Sequence, residues 1–207
     1  GQATISDDDA APNLSIGDIS ANEGNTGNSP YTIFNFQVSL STASGQSVGV
    51  QWDSADGTAT ALDYVSGSGS FSFAPGETTK TISIQIRGDT TFESNESFFV
   101  NLFGVVNAIV TDSQGQGTIV NDDNVPSVSI NDVAIFEGED AVFTISLSNT
   151  SSQTITLNYA TANGTANALD YTAKSGALTF LPGETTKTVS VATNNDVLNE
   201  ITEDFFL

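Results

Sequence analysis

The chain has 207 residues, of which 38% are hydrophobic, and its 25 acidic and four basic side chains give a net charge of −21 at pH 7. This balance excludes the basic patches that bind nucleic acid or anionic membranes. Cysteine, histidine and methionine are absent, which excludes zinc, copper, haem and iron–sulfur sites built on those side chains. No run approaches the ~18 apolar residues of a membrane-spanning helix, so membrane insertion is not expected.

Two segments of the chain return in register. Residues 1–10, GQATISDDDA, return as GQGTIVNDDN at 115–124, and residues 56–86 return at 163–193. The offset falls from 114 to 107, so the second copy is seven residues shorter between these segments. The repeat predicts three parts: the last strand and acidic tail of a preceding repeat at 1–10, a complete repeat at 11–124, and a repeat lacking its final strand at 125–207.

Apolar and polar residues alternate along the complete repeat, and clusters of Gly, Asn, Asp and Ser separate the alternating stretches. This pattern predicts strands with one face turned inward. The predicted strands lie near residues 14–23, 31–40, 47–55, 69–74, 79–87, 96–103 and 116–121. No long helical periodicity is present. The sequence therefore predicts an all-β protein of two antiparallel sandwiches in tandem, with about seven strands each.

Acidic residues occupy the loops that are predicted to meet at one end of the first sandwich: Glu23, Asp63, Asp89, Glu93, Glu96, Asp122 and Asp123. At about 5 Å and an effective dielectric of about 20, each pair of carboxylates repels by ~3 kcal/mol. The nearest base in sequence is Arg87. A shell of oxygens favours Ca²⁺, which accepts irregular geometry, over Mg²⁺. The alternative is a solvated acidic tip that holds no metal.

Four motifs resemble the Calx-β module of sodium/calcium exchangers and large bacterial surface proteins. They are DGTATALDY (56–64), FAPGETTKTISIQI (73–86), FESNESFFV (92–100) and TIVNDD (118–123). The resemblance implies immunoglobulin-like sandwiches that bind several calcium ions at one tip. In the first copy it places ligands on Glu23, Asp63, Asp89, the carbonyl of Thr91, Glu93, Glu96, Asp122 and Asp123. In the second copy it places them on Glu137, Asp170, Asp196, the carbonyl of Leu198, Glu200 and Glu203.

The chain departs from the calcium-competent family pattern at three positions. Gly88 and Asn195 stand where that pattern begins its loop with a pair of acids, and Asn121 stands where a third terminal acid occurs. Fewer carboxylates imply fewer or weaker ions. We therefore expect two or three calcium ions in the first site.

The resemblance and the acidic tips lead to two functional expectations. The first is a segment of an extracellular or cell-surface adhesin or fibre, in which Ca²⁺ stiffens the junctions between domains. The alternative is a regulatory calcium-sensor module of a larger membrane or surface protein. An enzyme is not expected, because the acids are better explained as ligands and both repeats carry them.

The likeness between residues 1–10 and 115–124 predicts a partner. Residues 2–6 are expected to pair with the second domain of a neighbouring copy of the chain, and Asp7, Asp8 and Asp9 to complete the second calcium site. Such contacts would build a head-to-tail array.

Overall fold

The computed structural model describes residues 1–25, 27–197 and 201–207, with residues 27–30 described by their backbone alone. The chain divides into two compact units, the first of Gly1–Asp89 with Ser94–Asp122 and the second of Thr90–Glu93 with Asp123–Leu207. Every regular element in the described ranges is a β-strand, which confirms the all-β prediction. Among the described residues, no helix is long and apolar enough to cross a membrane.

The first unit is a sandwich of two sheets. Its strands are β1 (Asn13–Ile16), β2 (Ile19–Asn22), β3 (Gly27–Leu40), β4 (Val48–Asp56), β5 (Ser68–Phe73), β6 (Thr79–Gly88), β7 (Glu96–Val106), β8 (Ile109–Val110) and β9 (Gln114–Val120). The strand orders are β6-β3-β1-β8 and β2-β9-β7-β4-β5. Buried residues from both sheets form one core. Neighbouring strands are antiparallel except for the pairs β1–β8 and β2–β9.

The single strand predicted at 14–23 is in fact two strands that belong to different sheets, β1 and β2. The chain crosses between the sheets at Gly17 and Asp18. There the Gly17 N–H donates to the Gln37 carbonyl at 3.0 Å, and Asp18 Oδ1 accepts from the Gln116 N–H at 2.7 Å. The prediction of one continuous strand was wrong because each half finds its hydrogen bonds on a different side of the core.

A trio of aromatic rings organises the first core. The ring of Phe98 stacks on Tyr64 with centroids 4.4 Å apart and meets Phe36 edge-on at 5.8 Å. Both geometries are favourable for aromatic pairs. Strand β6 contributes every second side chain to this core: Ile82, Ile84 and Ile86.

The second unit repeats this core with fewer strands. They are β10 (Val128–Ile130), β11 (Asp140–Leu147), β12 (Ile155–Ala160), β13 (Ala162–Asn163), β14 (Ser175–Phe180), β15 (Thr186–Ala192) and β16 (Phe205–Phe206). They form the sheets β10-β11-β15, β12-β14 and β13-β16. Phe205 stacks on Tyr171 at 4.3 Å and meets Phe143 edge-on at 5.9 Å. The sequence repeat is therefore also a repeat of core packing.

Residues 1–12 form no strand, and the side chains of residues 1–10 are exposed. The strand predicted at 2–6 is thus not formed within the described chain, and its pairing with another copy stays a prediction. The predicted domain limits also stay a prediction. The two units divide after Asp122, with residues 90–93 assigned to the second unit.

The buried hydroxyl of Tyr64 makes the stability of the first unit depend on pH in the alkaline range. Its O–H donates to Asp56 Oδ1 at 2.7 Å. Burial, followed by this hydrogen bond, raises the pKa of Tyr64 from 10.0 to about 12. Because the folded pKa lies above the unfolded one, the stabilisation is present below pH 10 and is lost as the pH rises towards 12.

We therefore predict that the urea midpoint of the first unit falls between pH 10 and about 12, and that Tyr64→Phe flattens this fall. The fluorescence of Trp52, the single tryptophan of the chain, reports the unfolding of this unit. The matched control is Tyr171→Phe in the second unit, whose hydroxyl donates to Asn163 at 2.6 Å. A fall of equal size in Tyr64→Phe and in the parent chain would contradict the assignment.

Candidate functional site

The register of β9 gathers acidic residues at one end of the first unit. Glu96 at the start of β7 lies opposite Ile119, and Asn22 at the end of β2 lies beside Val120. Glu23 directly follows β2, and Asp122 lies two residues beyond the end of β9, so both lie at the same edge of the sheet. The Gly24 N–H donates to Asp122 Oδ1 at 3.2 Å, which ties the two loops together.

Glu23 is the buried acid of this end. It is 4% exposed, and its N–H donates to the Val120 carbonyl at 3.1 Å. The Thr32 hydroxyl donates to its backbone carbonyl at 2.5 Å. Burial of a carboxylate is costly unless hydrogen bonds or cations compensate it. A buried carboxylate among loop acids, in a set of donors made only of oxygens, fits a hard cation such as Ca²⁺.

Asp63 reaches the same end through a turn that its side chain caps. Its Oδ2 accepts from the Thr60 N–H at 2.7 Å, and its carbonyl accepts from the N–H of Arg87 at 2.8 Å. Asp170 repeats the cap by accepting from the Asn167 N–H at 2.8 Å. One carboxylate oxygen of each aspartate therefore has a structural role that the sequence did not reveal.

Gly88 shows why this loop departs from the paired acids of the family pattern. A Cβ at Gly88 would lie 1.6 Å from the carbonyl oxygen of Gly24 and 2.6 Å from that of Glu23. No side chain fits at position 88 while these loops touch. Asp89, which follows β6, is exposed and is left as the acid at the start of this loop.

The other predicted ligands of the first site, Thr91, Glu93 and Asp123, belong to the second unit. The segment Thr90–Glu93 forms a short parallel rung there. The Phe92 N–H donates to the Thr150 carbonyl at 3.0 Å, and the Phe92 carbonyl accepts from the Ser152 N–H at 3.0 Å. The Thr91 and Thr150 hydroxyls lie 2.9 Å apart. The sequence analysis did not single out Phe92. An aromatic residue in an acidic loop, where the second repeat has Asn199, could have indicated a packing role.

In the second unit, four predicted ligands line one cleft of about 420 Å³: Glu137, Asp170, Asp196 and Glu203. Two further predicted ligands, Leu198 and Glu200, lie outside the described residues. Glu137 is exposed, whereas its counterpart Glu23 is buried. The predicted contributors Asp7, Asp8 and Asp9 are exposed, and the Asp9 N–H donates to Asp7 Oδ1 at 3.3 Å.

Across the described ranges, no three Asp or Glu side chains stand close enough together to hold a metal ion. The strand ends bring the acids to one edge, yet their side chains do not converge. Closer approach would be opposed by mutual repulsion, because each close pair of carboxylates costs a few kcal/mol at an effective dielectric of about 20.

Two of the four bases are held far from the acidic ends. Lys80 pairs with Glu77 at 2.8 Å and Lys187 with Glu184 at 2.7 Å, each near the start of the strand that later reaches the acidic end, β6 and β15. The hydrogen bond from each lysine, followed by a backbone hydrogen bond, lowers the pKa of Glu77 and of Glu184. A strand such as β6 spans about 30 Å. These two lysines therefore do not neutralise the acidic ends.

Comparison with known proteins adds the family. The profile of the Calx-beta domain matches residues 27–124 and 120–207. Sodium/calcium exchanger 2 of Rattus norvegicus is 31% identical over 185 residues, and the proteins of the same name from Mus musculus and Homo sapiens match equally well. The match covers 76% of this chain and 20% of the exchanger, so the chain spans about a fifth of the length of these curated relatives.

Solved structures of similar proteins include CBD12 from CALX1.2, at 24% identity and a TM-score of 0.49, covering 87% of this chain and 75% of that one. The calcium binding domain CBD12 of CALX1.1 matches at 24% identity and a TM-score of 0.48, covering 86% and 74%. The profile matches, which together span nearly the whole sequence, are the decisive finding. The chain belongs to the Calx-beta family, in two consecutive copies.

Proposed function

We propose that this chain is a calcium-responsive regulatory segment of a larger protein, with one calcium site at the acidic end of each Calx-beta unit. The observation that carries the proposal is the buried carboxylate of Glu23 at the edge where the acidic loops of the first unit meet. The names of the relatives support it, because they are sodium/calcium exchangers, and one solved structure is described as a calcium binding domain.

In the first unit, the residues that would hold calcium come from the ends of different strands: Glu23, Asp63, Asp89, Glu96 and Asp122. A bound calcium ion supplies the positive charge that offsets their repulsion. Hydrogen bonds already tie two of these loops together, since the Glu23 N–H donates to the Val120 carbonyl and the Gly24 N–H donates to the Asp122 carboxylate. With their repulsion offset, the carboxylates bind the same ion, and the ends of β2, β6, β7 and β9 are held together.

The loop between β6 and β7 gives this response a route along the chain. Asp89 and Glu96 lie at its two ends, and Phe92 in its middle forms the rung with residues 150–152 of the second unit. Phe92 therefore lies within the same loop as two of the proposed ligands. The predicted ligands Thr91 and Glu93 flank that residue, and Asp123 follows β9.

The second unit would use Glu137, Asp170, Asp196 and Glu203 around its cleft, with the predicted ligands Leu198 and Glu200. Its site is the weaker one, because its first glutamate is exposed where Glu23 is buried. The expectation of two or three ions in the first site remains a prediction.

A regulatory module is favoured over an extracellular adhesin or fibre. The relatives described above are exchangers, and none of them is described as an adhesin. We therefore propose a place within a membrane-associated protein, and a binding role without catalysis. The adhesin and cell-surface expectation stays a prediction.

Calcium should stabilise the first unit against heat. A ligand that binds only the folded state adds about 2.7 kcal/mol at 100-fold its dissociation constant, which corresponds to a rise in Tm of about 10 °C or more for a unit of this size. The measurement is thermal unfolding followed by Trp52 fluorescence in calcium, in magnesium and in chelator. A Tm that is equal in calcium and in chelator would contradict the proposal.

Glu23→Gln should remove at least about half of the calcium-induced rise in Tm, because it keeps the side-chain volume and removes the charge that binds the cation. The Tm in chelator should change much less than the calcium-induced rise. The matched control is Glu77→Gln, which lies at the opposite end of β6 and pairs with Lys80. It should keep the full calcium response. A full response in Glu23→Gln as well would remove Glu23 from the ligand set.

A further inference from the structure

Asn163 and Gly164 form the single Asn-Gly dipeptide of the 207-residue chain. Asn163 ends β13, and both residues are exposed. Strand β13 pairs with β16 over two residues, which is the shortest pairing in the part of the second unit that the structure describes. A short pairing at the surface opens at little cost in free energy. The dipeptide therefore lies where water has access and the backbone can move locally.

An Asn-Gly dipeptide can react with itself. The backbone nitrogen of Gly164 attacks Cγ of Asn163, a C–N bond forms, and the bond from Cγ to the side-chain nitrogen breaks. That nitrogen leaves as ammonia with the proton of the Gly164 N–H, and a cyclic imide remains. Water then opens the ring at either of its carbonyls, which yields aspartate or isoaspartate at position 163. Glycine favours the attack because it has no Cβ to hinder the approach.

The fold requires the glycine of this dipeptide. A Cβ at Gly164 would lie 2.6 Å from the carbonyl oxygen of Asp204 and 2.9 Å from its carboxylate Oδ2. The turn holds Asp204 in place, because its carbonyl accepts from the Ala166 N–H at 2.9 Å and its N–H donates to the Thr165 hydroxyl at 2.9 Å. A side chain that would slow the reaction has no room here, so the labile dipeptide is a consequence of packing.

The first unit already has an aspartate at the equivalent position. Asp56 is the counterpart of Asn163. Asp56 Oδ1 accepts from the Tyr64 hydroxyl at 2.7 Å, and Asn163 Oδ1 accepts from the Tyr171 hydroxyl at 2.6 Å. An aspartate at position 163 therefore finds its hydrogen-bond partner already in place.

Isoaspartate does not fit in the same way. It lengthens the backbone by one carbon atom, because the chain then runs through the former side chain. The added atom displaces Gly164 from its close contact with Asp204. Asp204 directly precedes Phe205 of β16, whose ring stacks on Tyr171. The isoaspartate form should therefore lose the pairing of β13 with β16 and loosen this stack.

We propose that Asn163 is a site of spontaneous deamidation whose two products act differently on the second unit. The aspartate form keeps the hydrogen bond from Tyr171 and the fold, whereas the isoaspartate form opens the pairing of β13 with β16. Glu203 lies beside Asp204 in the chain and lines the cleft, so the isoaspartate form also alters the acidic end of this unit. The reaction needs only water and does not depend on calcium binding.

The aspartate product adds a negative charge close to Asp204. The first unit avoids this pair of acids, since it has Ser97 at the position of Asp204. Both Asn163 and Asp204 are exposed, and repulsion between exposed carboxylates is weak in water and screened by salt. The hydrogen bond from Tyr171 also becomes charge-assisted, which strengthens it. We therefore expect the aspartate form to stay folded.

Peptide mapping tests the reaction. The folded chain is incubated in mildly alkaline buffer, and mass spectrometry follows the replacement of the amide by a carboxyl group at each asparagine. We expect Asn163 to convert faster than every other asparagine and isoaspartate to accumulate beside aspartate. Asp56 is an internal control, because its ionised carboxylate is a poor electrophile and should form isoaspartate far more slowly. Conversion of Asn163 at no higher rate than the other asparagines overturns the proposal.

The same incubation in urea gives the rate of the unfolded chain. In the folded chain, Asn163 should convert at no less than about a tenth of that rate, because local opening of a weakly paired segment costs little free energy. If Asn163 converts in urea and stays intact in the folded chain, the fold protects the dipeptide and the proposal is overturned.

Hydrogen exchange distinguishes the two products. The aspartate form is made directly as Asn163→Asp, and the isoaspartate form is separated by chromatography from the incubated parent chain. The readout is the Ala166 amide, which donates to the Asp204 carbonyl in this turn. We expect protection to fall at least about tenfold in the isoaspartate form and to stay near the parent value in Asn163→Asp. Equal protection in the two forms, or an unfolded Asn163→Asp, contradicts the proposal.

Asn163→Gln is the matched control. It keeps an amide for the Tyr171 hydroxyl, but attack by Gly164 would close a larger ring, which forms much more slowly. Incubated Asn163→Gln should keep the protection of the Ala166 amide over the time in which the parent chain loses it. A parallel loss in Asn163→Gln would show that the change arises elsewhere in the chain, and it would overturn the assignment to position 163.

Discussion

The acidic end of the first unit depends on the pairing of β9 with β2 on one side and with β7 on the other. Its parallel pairing with β2 places the end of β2 beside the end of β9, and its antiparallel pairing with β7 places the start of β7 at the same edge. Glu23, Glu96 and Asp122 lie at that edge because of this register. Their proximity is thus a consequence of strand pairing, which is stabilised by a core that contains no charge.

The second unit shows which features need β9 and which do not. The stack of Phe205 on Tyr171 reproduces the stack of Phe98 on Tyr64 to within 0.1 Å in centroid distance, so the aromatic trio forms without that strand. The burial of the first glutamate differs, since Glu23 is buried and Glu137 exposed. The backbone of Glu23 bonds to Val120 on β9. Core packing is therefore local to each repeat, whereas the acidic end of the first unit depends on β9, the last strand of its repeat.

This division explains how far the sequence predicted the structure. Alternation and the repeat predicted the strands, the sandwich and the edge at which the acids lie. The crossing at 14–23 carried a weak signal, because the inward positions change from Leu14 and Ile16 to Ile19 and Ala21, from even to odd. The two-residue β8 is too short for any periodicity. The rung at Phe92 and the caps made by Asp63 depend on tertiary and turn geometry that spacing does not encode.

Steric crowding also sets a limit on the charge at each acidic end. In the first unit, Gly88 has no room for a side chain because the Gly24 carbonyl approaches it closely. In the second, Asn195 occupies the equivalent position, and a Cβ at Gly138 would lie 2.8 Å from the Asn195 Cβ. Gly138 has a φ of 82°, which favours glycine in any case. The two loops approach closely in both units. In the first unit both facing residues, Gly24 and Gly88, are glycines, and in the second unit Gly138 faces Asn195. An added acid at position 88 would have to separate the loop of Glu23 from β6, so the close packing that buries Glu23 is also what keeps a second carboxylate out.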